Sequence, residues 1–188
     1  MANRYVYTVL YNAANGDFLL ANKNVRGYFF APSSVYPDGR LLNGGGKPAL
    51  PGGALTTGES VKDGAVREFR EETGLHISAY YTEAQSWQNG LYNAGYFRVT
   101  AQQLTSLRTS VETALSQGHL AARDIYDRRI TRYPEIHQRY PQAAPDHELN
   151  TVEIWNVNTR WSTIQEWSND QDLSWFVNIL RHIKSPMS

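Results

Sequence analysis

Cysteine is absent from all 188 residues of the sequence. Without it the chain can form neither structural disulfides nor thiolate metal sites, and a reducing, cytoplasmic location is favoured over a secreted one. Long apolar runs are missing too. No stretch approaches the roughly 18 apolar residues of a membrane-spanning helix, and the first residues lack the apolar core of a signal peptide. We therefore expect a cytoplasmic protein that has no membrane partner.

An excess of charge of either sign is also lacking, because 18 Lys and Arg balance 18 Asp and Glu. A net charge of zero disfavours nucleic acid as a partner, although a local basic stripe keeps that alternative open. Apolar residues make up 41% of the sequence, which is enough for one sizeable core, so we predict a single domain over residues 1–188. The 12 Tyr and 5 Trp suit either this core or a surface that stacks on a planar ligand.

Residues 50–75 contain the most informative pattern in the chain. Ser60 followed by Asp63 is typical of a helix start, and Gly74 is the left-handed residue expected just past a helix end. We therefore predict a helix over residues 61–73.

Three glutamates crowd one face of this predicted helix. Glu68, Glu71 and Glu72 stand at i, i+3 and i+4, and like charges so placed repel by about 0.2–0.5 kcal/mol per pair. A hard divalent cation relieves the repulsion, because Mg²⁺ prefers oxygen ligands and is often held by carboxylates together with substrate phosphates. The pattern therefore favours a metal site over its alternative, a solvated acidic helix end.

The same stretch meets every specified position of the Nudix box, G-x5-E-x7-R-E-U-x-E-E-x-G-U, from Gly53 to Leu75, where U is a bulky apolar residue. The chain thus resembles the Nudix hydrolases. The resemblance implies the α/β Nudix fold, an α/β/α sandwich with a mixed β-sheet, and a pyrophosphohydrolase that depends on Mg²⁺ or Mn²⁺. The implied substrate is a small nucleotide derivative, a nucleoside diphosphate linked to a group X, cleaved to a nucleoside monophosphate and phospho-X. Nudix domains often form homodimers, although nothing in this sequence indicates one.

The resemblance also implies roles for individual residues. The expected metal ligands are Glu68, Glu71, Glu72, a backbone carbonyl near Gly53, and Glu148 outside the box. Arg67 is expected to orient the glutamates by ion pairing, and Glu59 to support the box through Arg67.

An acidic residue beyond the box completes the expected site. Many Nudix hydrolases place such a residue in a loop just before a late strand, and here Glu148 is the best match and Asp146 the second. Glu148 serves either as a further metal ligand or as the base that activates water, and a box glutamate is the alternative base. Two other functions stay open: pyrophosphate removal from RNA 5′ ends, and a nucleotide-sensing module without turnover.

Strands and helices are predicted on both sides of the box. The predicted strands are 4–12, 17–22, 76–87, 91–100 and 151–157, and the closing helices are 163–167 and 171–184. Asn15-Gly16 predicts a type I′ hairpin turn, and Asn89-Gly90 predicts a second hairpin turn. Residues 31–47, rich in Pro, Ser, Asp and Gly, are predicted to form a long loop.

Two groups of residues outside the box are candidates for substrate binding. Lys23 and Arg26, with Tyr28 nearby, follow a predicted strand and either reach a substrate phosphate or form a solvated strand end. Arg128 and Arg132 belong to the second group, described next.

A mostly helical insertion is predicted at about 101–145. Its first helix is expected to stop at Gly118, and a second helix to run from 119 to 133 and end before Pro134. The arginines and tyrosines of the second helix either face a nucleotide, form a salt-bridged exposed surface, or make a subunit contact.

Overall fold

A mixed β-sheet of eight strands runs through the described residues, 3–30 and 35–184, of this computed structural model. In chain order the strands are β1 (Tyr5–Tyr11), β2 (Asp17–Phe29), β3 (Arg40–Leu41), β4 (Pro48–Ala49), β5 (Gly52–Ala54), β6 (Tyr81–Trp87), β7 (Tyr92–Arg98) and β8 (Asp146–Asn156). The α-helices are α1 (Val61–Thr73), α2 (Ala101–Tyr126), α3 (Tyr133–Arg139), α4 (Trp161–Glu166) and α5 (Ser174–Arg181). Helices α2 and α3 lie between β7 and β8, which confirms the predicted helical insertion.

Strand β1 lies in the middle of the sheet. It pairs in parallel with β7, whereas the pairs β6–β7 and β2–β8 are antiparallel. The register of β1 and β2 joins Tyr11 to Phe18, near the hairpin that connects them. Farther from that hairpin, β5 pairs with β1 and β4 pairs with β2. Strand β5 therefore holds Gly52 and Gly53 against the central strand β1, next to α1.

Helices cover both faces of the sheet, which confirms the predicted α/β/α sandwich. Neighbouring residues of β1 point to opposite faces, as strand geometry requires. Val6 belongs to the same buried cluster as Phe69 of α1 and Val111 of α2, and Tyr7 packs with Phe176 of α5 on the other side. Burial of a large side chain such as Phe69 contributes about 1.5–3 kcal/mol, so these contacts fix both layers. Four apolar residues at helical spacing in and just before α5 are all buried: Leu173, Phe176, Val177 and Leu180.

Helix α1 has the predicted bounds and the predicted caps. The Ser60 hydroxyl accepts a hydrogen bond from the backbone N–H of Asp63 at 3.1 Å. Gly74 follows the last turn with φ 76°, a left-handed conformation that glycine adopts without steric penalty. Because both ends are fixed, the face that carries the glutamates has a defined direction.

The helical insertion differs from its predicted division into two helices at Gly118. Helix α2 passes through Gly118 without a break, and a Cβ added there would lie 3.1 Å from the His147 ring of β8. Close packing against β8 thus outweighs the roughly 1 kcal/mol penalty of a helical glycine. The bounds of the predicted helix 119–133 were also wrong, because residues 119–126 belong to α2 and Pro134 lies in the first turn of α3 instead of following a helix. Proline suits a first helical turn, where its missing N–H would be unpaired anyway.

Two strands are longer than predicted. Strand β2 continues to Phe29, so Lys23, Arg26 and Tyr28 lie within it and not beyond its end. Strand β8 begins at Asp146, so Glu148 lies inside a strand and not in a loop before one. A regular alternation of apolar and polar residues would have indicated both extensions in the sequence. The shifts in the β2–β8 register interrupt that alternation. Residues 78–80 form a 3₁₀ turn before β6, where a strand was predicted.

The turns confirm part of what the sequence predicts. At the second hairpin, Asn89 and Gly90 both have positive φ, 55° and 81°. At the first hairpin only Gly16 has a positive φ, whereas a type I′ turn requires two such residues. The connection is instead a longer loop, in which the Gly16 N–H donates to the Asn12 carbonyl. Residues 31–34 of the predicted long loop lie outside the described residues, and the remainder contains strand β3.

Candidate active site

Five carboxylates come together where α1 faces β5 and β8. They are Glu68, Glu71, Glu72, Asp146 and Glu148. Burial raises the pKa of Glu68, Glu72 and Asp146, and the negative charge of Glu148 raises each of them further. The expected metal ligands therefore form one cluster, which Asp146 extends.

Gly53 borders this cluster from β5. A Cβ added to Gly53 would lie 2.5 Å from Glu68 Oε2, so no larger residue fits without displacing that carboxylate. The close approach of β5 to α1 thus explains why this position has a residue without a side chain.

Arg67 connects three carboxylates on the outer side of the cluster. Its Nε donates to Glu59 at 2.8 Å, and Nη1 donates to Glu68 at 2.7 Å and to Glu71 at 3.0 Å. Nη2 also donates to the Ala54 carbonyl, which ties the guanidinium to β5. The hydrogen bond from Arg67 is the main cause that lowers the pKa of Glu59 to about 2. These hydrogen bonds are the geometric basis for the positioning role expected of Arg67 and Glu59, which stays a prediction.

Glu72 is the most buried of the box glutamates, with only 3% of its surface exposed. Its Oε2 accepts a hydrogen bond from the Gly52 backbone N–H at 3.0 Å. Burial raises its pKa well above the usual range, Glu148 raises it further, and Lys23 opposes that effect. A buried carboxylate among others requires a nearby cation if it is to stay ionised.

Lys23 provides one such cation, because its Nζ lies 3.0 Å from Glu148 Oε2. The side chain therefore faces the carboxylates and does not form a solvated strand end. Asp146 lies two residues earlier on β8, and burial, followed by the charges of Glu148 and Glu71, raises its pKa to about 7.

The oxygen donors of this cluster fit a hard divalent cation. Carboxylates and backbone carbonyls are the ligands that Mg²⁺ and Mn²⁺ take in proteins, and the charge around buried Glu72 requires neutralisation. In the part of the chain that the structure describes, no group of three or more His, Cys, Asp or Glu side chains already stands in a metal-binding arrangement. The cations of Arg67 and Lys23 instead pair with Glu68 and Glu148.

Four of the predicted substrate-binding residues lie away from the carboxylates. Arg26 and Tyr28 donate weakly to backbone carbonyls of residues 37–38, and Arg128 pairs with Asp38 at 3.5 Å. Arg132 pairs with Glu135 at 2.8 Å and is highly exposed. None of the four lines the cavity described next, so their role in binding stays a prediction.

A cavity of about 310 Å³ begins beside the carboxylates and has aromatic walls. Gly53, Glu72 and Lys23 line one part of it. The aromatic part is lined by Tyr5, Tyr7, Tyr92, Trp175 and Phe176. Within that wall the Tyr92 and Trp175 rings are parallel, with centroids 5.0 Å apart and an interplanar angle of 5°.

Sequence reasoning missed this aromatic wall. Tyr92 lies in the predicted strand 91–100 and Trp175 in the predicted helix 171–184, and neither residue was singled out there. Their separation of more than 80 positions leaves no local pattern, so only the tertiary fold brings them together. The abundance of Tyr and Trp was the one signal, and it did not distinguish core from ligand-facing residues.

Lys47 joins two segments at the cavity. Its Nζ lies 2.8 Å from Asp170 and 2.7 Å from Asp172, and Asp172 itself lines the cavity. The ion pairs therefore hold residues 43–50 against the segment that precedes α5. Several residues of 43–50 line the cavity. No local pattern in the sequence indicates this contact, because Lys47 lies more than 120 residues from Asp170 and Asp172.

Comparison with known protein families places the chain in one of them. The NUDIX domain family matches residues 2–148, more than three quarters of the chain. A search of curated proteins finds no relative that matches the sequence. No helix among the described residues is long and apolar enough to cross a bilayer. The cytoplasmic location and the homodimer stay predictions.

Solved structures similar to this chain include several Nudix proteins. The MutT protein of Methanosarcina mazei Go1 is 16% identical, with a TM-score of 0.44, over 96% of this chain and 91% of that one. A Deinococcus radiodurans protein is 13% identical, with a TM-score of 0.47, over 97% and 83% of the two chains. A NUDIX hydrolase from Nitrosomonas europaea is 14% identical, with a TM-score of 0.42, over 97% and 89%.

Proposed function

This chain belongs to the Nudix family, and from that premise we propose that this pyrophosphohydrolase cleaves a phosphoanhydride bond in a nucleoside diphosphate linked to a group X. The products are a nucleoside monophosphate and phospho-X. One observation supports the proposal most: a single cavity is lined by Glu72 and Gly53 and also by Tyr92 and Trp175. A substrate that carries both phosphates and a planar ring suits such a cavity, because the ring can stack while the phosphates approach the carboxylates.

The carboxylate cluster is the proposed site of Mg²⁺ or Mn²⁺. The residues that would hold the ion are Glu68, Glu71, Glu72, Glu148 and the backbone near Gly53. When bound, a divalent ion supplies charge neutralisation for the phosphates and a water of lowered pKa. Lys23, which already lies among these carboxylates, is proposed to contact a substrate phosphate.

Proton transfer and orientation are assigned to the protein itself. Glu148 is the proposed base that removes a proton from the attacking water, and a box glutamate such as Glu71 is the alternative. Arg67 does not contact substrate in this proposal. It holds Glu68 and Glu71 through its hydrogen bonds, while Glu59 fixes the other edge of the guanidinium.

Small nucleotide derivatives are preferred over RNA ends as substrates. An RNA cradle would need unpaired cations along the insertion. Three arginines after the end of α2 instead pair with acidic side chains, Arg128 with Asp38, Arg129 with Asp124 and Arg132 with Glu135.

A substrate panel tests the proposal. Purified protein with Mg²⁺ or Mn²⁺ would be offered ADP-ribose, dinucleoside polyphosphates, nucleotide sugars, NADH, (d)NTPs and triphosphorylated RNA, with products separated by chromatography. We expect turnover of at least one nucleoside diphosphate derivative, and loss of that turnover in the matched Glu71→Gln variant. Turnover of triphosphorylated RNA alone would establish the RNA-end alternative. If the folded, metal-supplemented protein turns over none of these compounds, the sensing module replaces the enzyme.

A further inference from the structure

The backbone around Glu148 lacks regular strand pairing. Lys23 pairs with Leu149 and Tyr28 pairs with His147, so four residues of β2 stand opposite the single residue Glu148. The Asn24 side chain enters this irregularity and donates to the Leu149 carbonyl at 3.0 Å and the His147 carbonyl at 3.4 Å. The position of Glu148 therefore depends on side chains that hold its neighbours, because the ladder is interrupted there.

His119 of α2 holds the same segment from the other side. Its Nδ1 lies 2.6 Å from His147 Nε2, and its Nε2 lies 2.8 Å from the Asn150 carbonyl oxygen. Since a carbonyl oxygen only accepts, His119 Nε2 carries the proton and donates it to that bond. One imidazole thus links the residue before Glu148 to the second residue after it.

The His147 ring that receives this contact is firmly packed. It is 6% exposed and lies parallel to the Phe30 ring, with centroids 6.2 Å apart. Gly118, next to His119, allows α2 to approach the ring closely, since a Cβ there would lie 3.1 Å from it. His147 therefore lies at the contact between α2 and β8, and the missing side chain of Gly118 makes room for its ring.

We propose that His119 is a positioning residue for the hydrolytic reaction, and that it acts through Glu148. The insertion then has a role in the site without contacting substrate: α2 fixes the backbone that directs the Glu148 carboxylate at the cluster. The inference rests on the proposed function, because it assumes that Glu148 serves as base or metal ligand. It differs from a purely structural role of His119 in predicting that the effect vanishes once Glu148 is disabled.

The test is a double-mutant cycle with His119→Ala and Glu148→Gln. We expect His119→Ala to lower kcat by about 10- to 100-fold with little change in KM, as is typical when a residue that orients a ligand is removed. In the Glu148→Gln background the same substitution should change kcat less than about twofold. His119→Gln, which keeps a donor for the Asn150 carbonyl, should recover part of the loss.

Gln117→Ala is the matched control. Gln117 lies on the same helix and makes two hydrogen bonds to Gln142, at 3.0 Å and 2.9 Å, away from the Glu148 segment. The control should lower the thermal midpoint while leaving kcat near that of the wild type. If His119→Ala fails to fold, His119→Gln takes its place in the cycle.

A second measurement is independent of turnover. The Kd of Mn²⁺, measured by electron paramagnetic resonance without substrate, is compared across the same four proteins of the cycle. Coupling between the two substitutions in kcat or in Mn²⁺ Kd supports the proposal. Additive effects in both quantities, or a His119→Ala variant that matches Gln117→Ala in both, overturn it. If the wild type hydrolyses no substrate, the proposed function fails and the Mn²⁺ cycle alone decides on His119.

Discussion

Lys23 Nζ lies 3.0 Å from Glu148 Oε2, and the two side chains are only 21% and 18% exposed. The same lysine opposes the negative charge at buried Glu72. It therefore joins β2 to β8 within the carboxylate cluster and offsets part of the repulsion between Glu72 and Glu148, neither of which Arg67 contacts.

The first prediction concerns this charge. Lys23→Met keeps the length of the side chain but removes the cation, so the free energy of unfolding in EDTA should fall by about 1–3 kcal/mol. Excess Mg²⁺ should restore stability more in the variant than in the wild type, because the ion replaces the missing positive charge. Urea denaturation with EDTA and with Mg²⁺ measures both effects. Lys47→Met is the control, since it breaks ion pairs to Asp170 and Asp172 instead. An equal Mg²⁺ effect in wild type and Lys23→Met would contradict the prediction.

The second prediction separates stability from activity at Glu72. Glu72→Gln keeps an oxygen that can accept the Gly52 N–H but removes a carboxyl group whose ionisation is opposed by burial and by the charge of Glu148. In EDTA the free energy of unfolding should therefore rise by about 1–2 kcal/mol. With Mg²⁺, kcat should fall at least about 100-fold. Denaturation and initial-rate measurements test the two parts. The exposed Glu166→Gln substitution is the control and should alter neither. Near-normal turnover in Glu72→Gln would remove this residue from the site.

The third prediction tests the fork geometry of Arg67. Its guanidinium bonds Glu59, Glu68, Glu71 and the Ala54 carbonyl at the same time, which a compact ammonium cannot do. Arg67→Lys should therefore lower kcat by about 10- to 100-fold although the charge is kept. Steady-state kinetics measure the loss. Arg70→Lys, an exposed substitution on the same helix, should retain full activity. Equal activity in the two variants would show that charge alone is sufficient at Arg67.

The fourth prediction is a pH dependence located in the insertion. Asp124 is buried and accepts hydrogen bonds from the Tyr140 hydroxyl at 2.7 Å, Arg139 at 2.9 Å and Arg129 at 3.0 Å. The hydrogen bond from Tyr140, followed by that from Arg139, holds the pKa of Asp124 below its usual range. A lowered pKa in the folded state means that the carboxylate stabilises the protein above its unfolded pKa of about 3.9, and that this contribution is lost as pH falls through the folded value.

Asp124→Asn should accordingly lower the free energy of unfolding by about 1–3 kcal/mol at pH 6. The difference between wild type and variant should narrow steadily as the pH falls below about 4. Chemical denaturation of both proteins at several pH values measures this difference. The pH-dependent contributions of the other carboxylates are nearly the same in the two proteins, so they largely cancel in the difference. A gap that stays constant down to pH 3 would mean that charge on Asp124 is not what stabilises α2 and α3.

Local signals explain what the sequence predicted well. The bounds of α1 follow from Ser60, Asp63 and Gly74, which act on their immediate neighbours. The convergence of Glu68 and Glu72 follows from helical spacing alone. For Glu148 the sequence predicted the right neighbourhood but the wrong local structure, because a register shift in β2 hides the start of β8.

Long-range contacts explain what the sequence did not reveal. Gly118 was expected to stop a helix, yet it serves the approach of α2 to His147, a contact that only the folded chain creates. The Tyr92–Trp175 stack likewise joins β7 to α5 across many intervening residues. Neither residue of that pair has a neighbouring pattern that distinguishes a cavity wall from a core.

The last prediction concerns that aromatic wall. If a planar ring of the substrate binds there, Trp175→Ala should weaken binding by about 1–3 kcal/mol, which is roughly a 5- to 150-fold rise in KM. kcat should change little, because the carboxylates that carry the chemistry are untouched. Trp161→Ala is a suitable control, since Trp161 packs beside the same core but does not line the cavity. The comparison uses whichever nucleotide derivative the wild type hydrolyses. A fall in kcat at constant KM would show that Trp175 positions the catalytic residues and does not stack on a substrate ring.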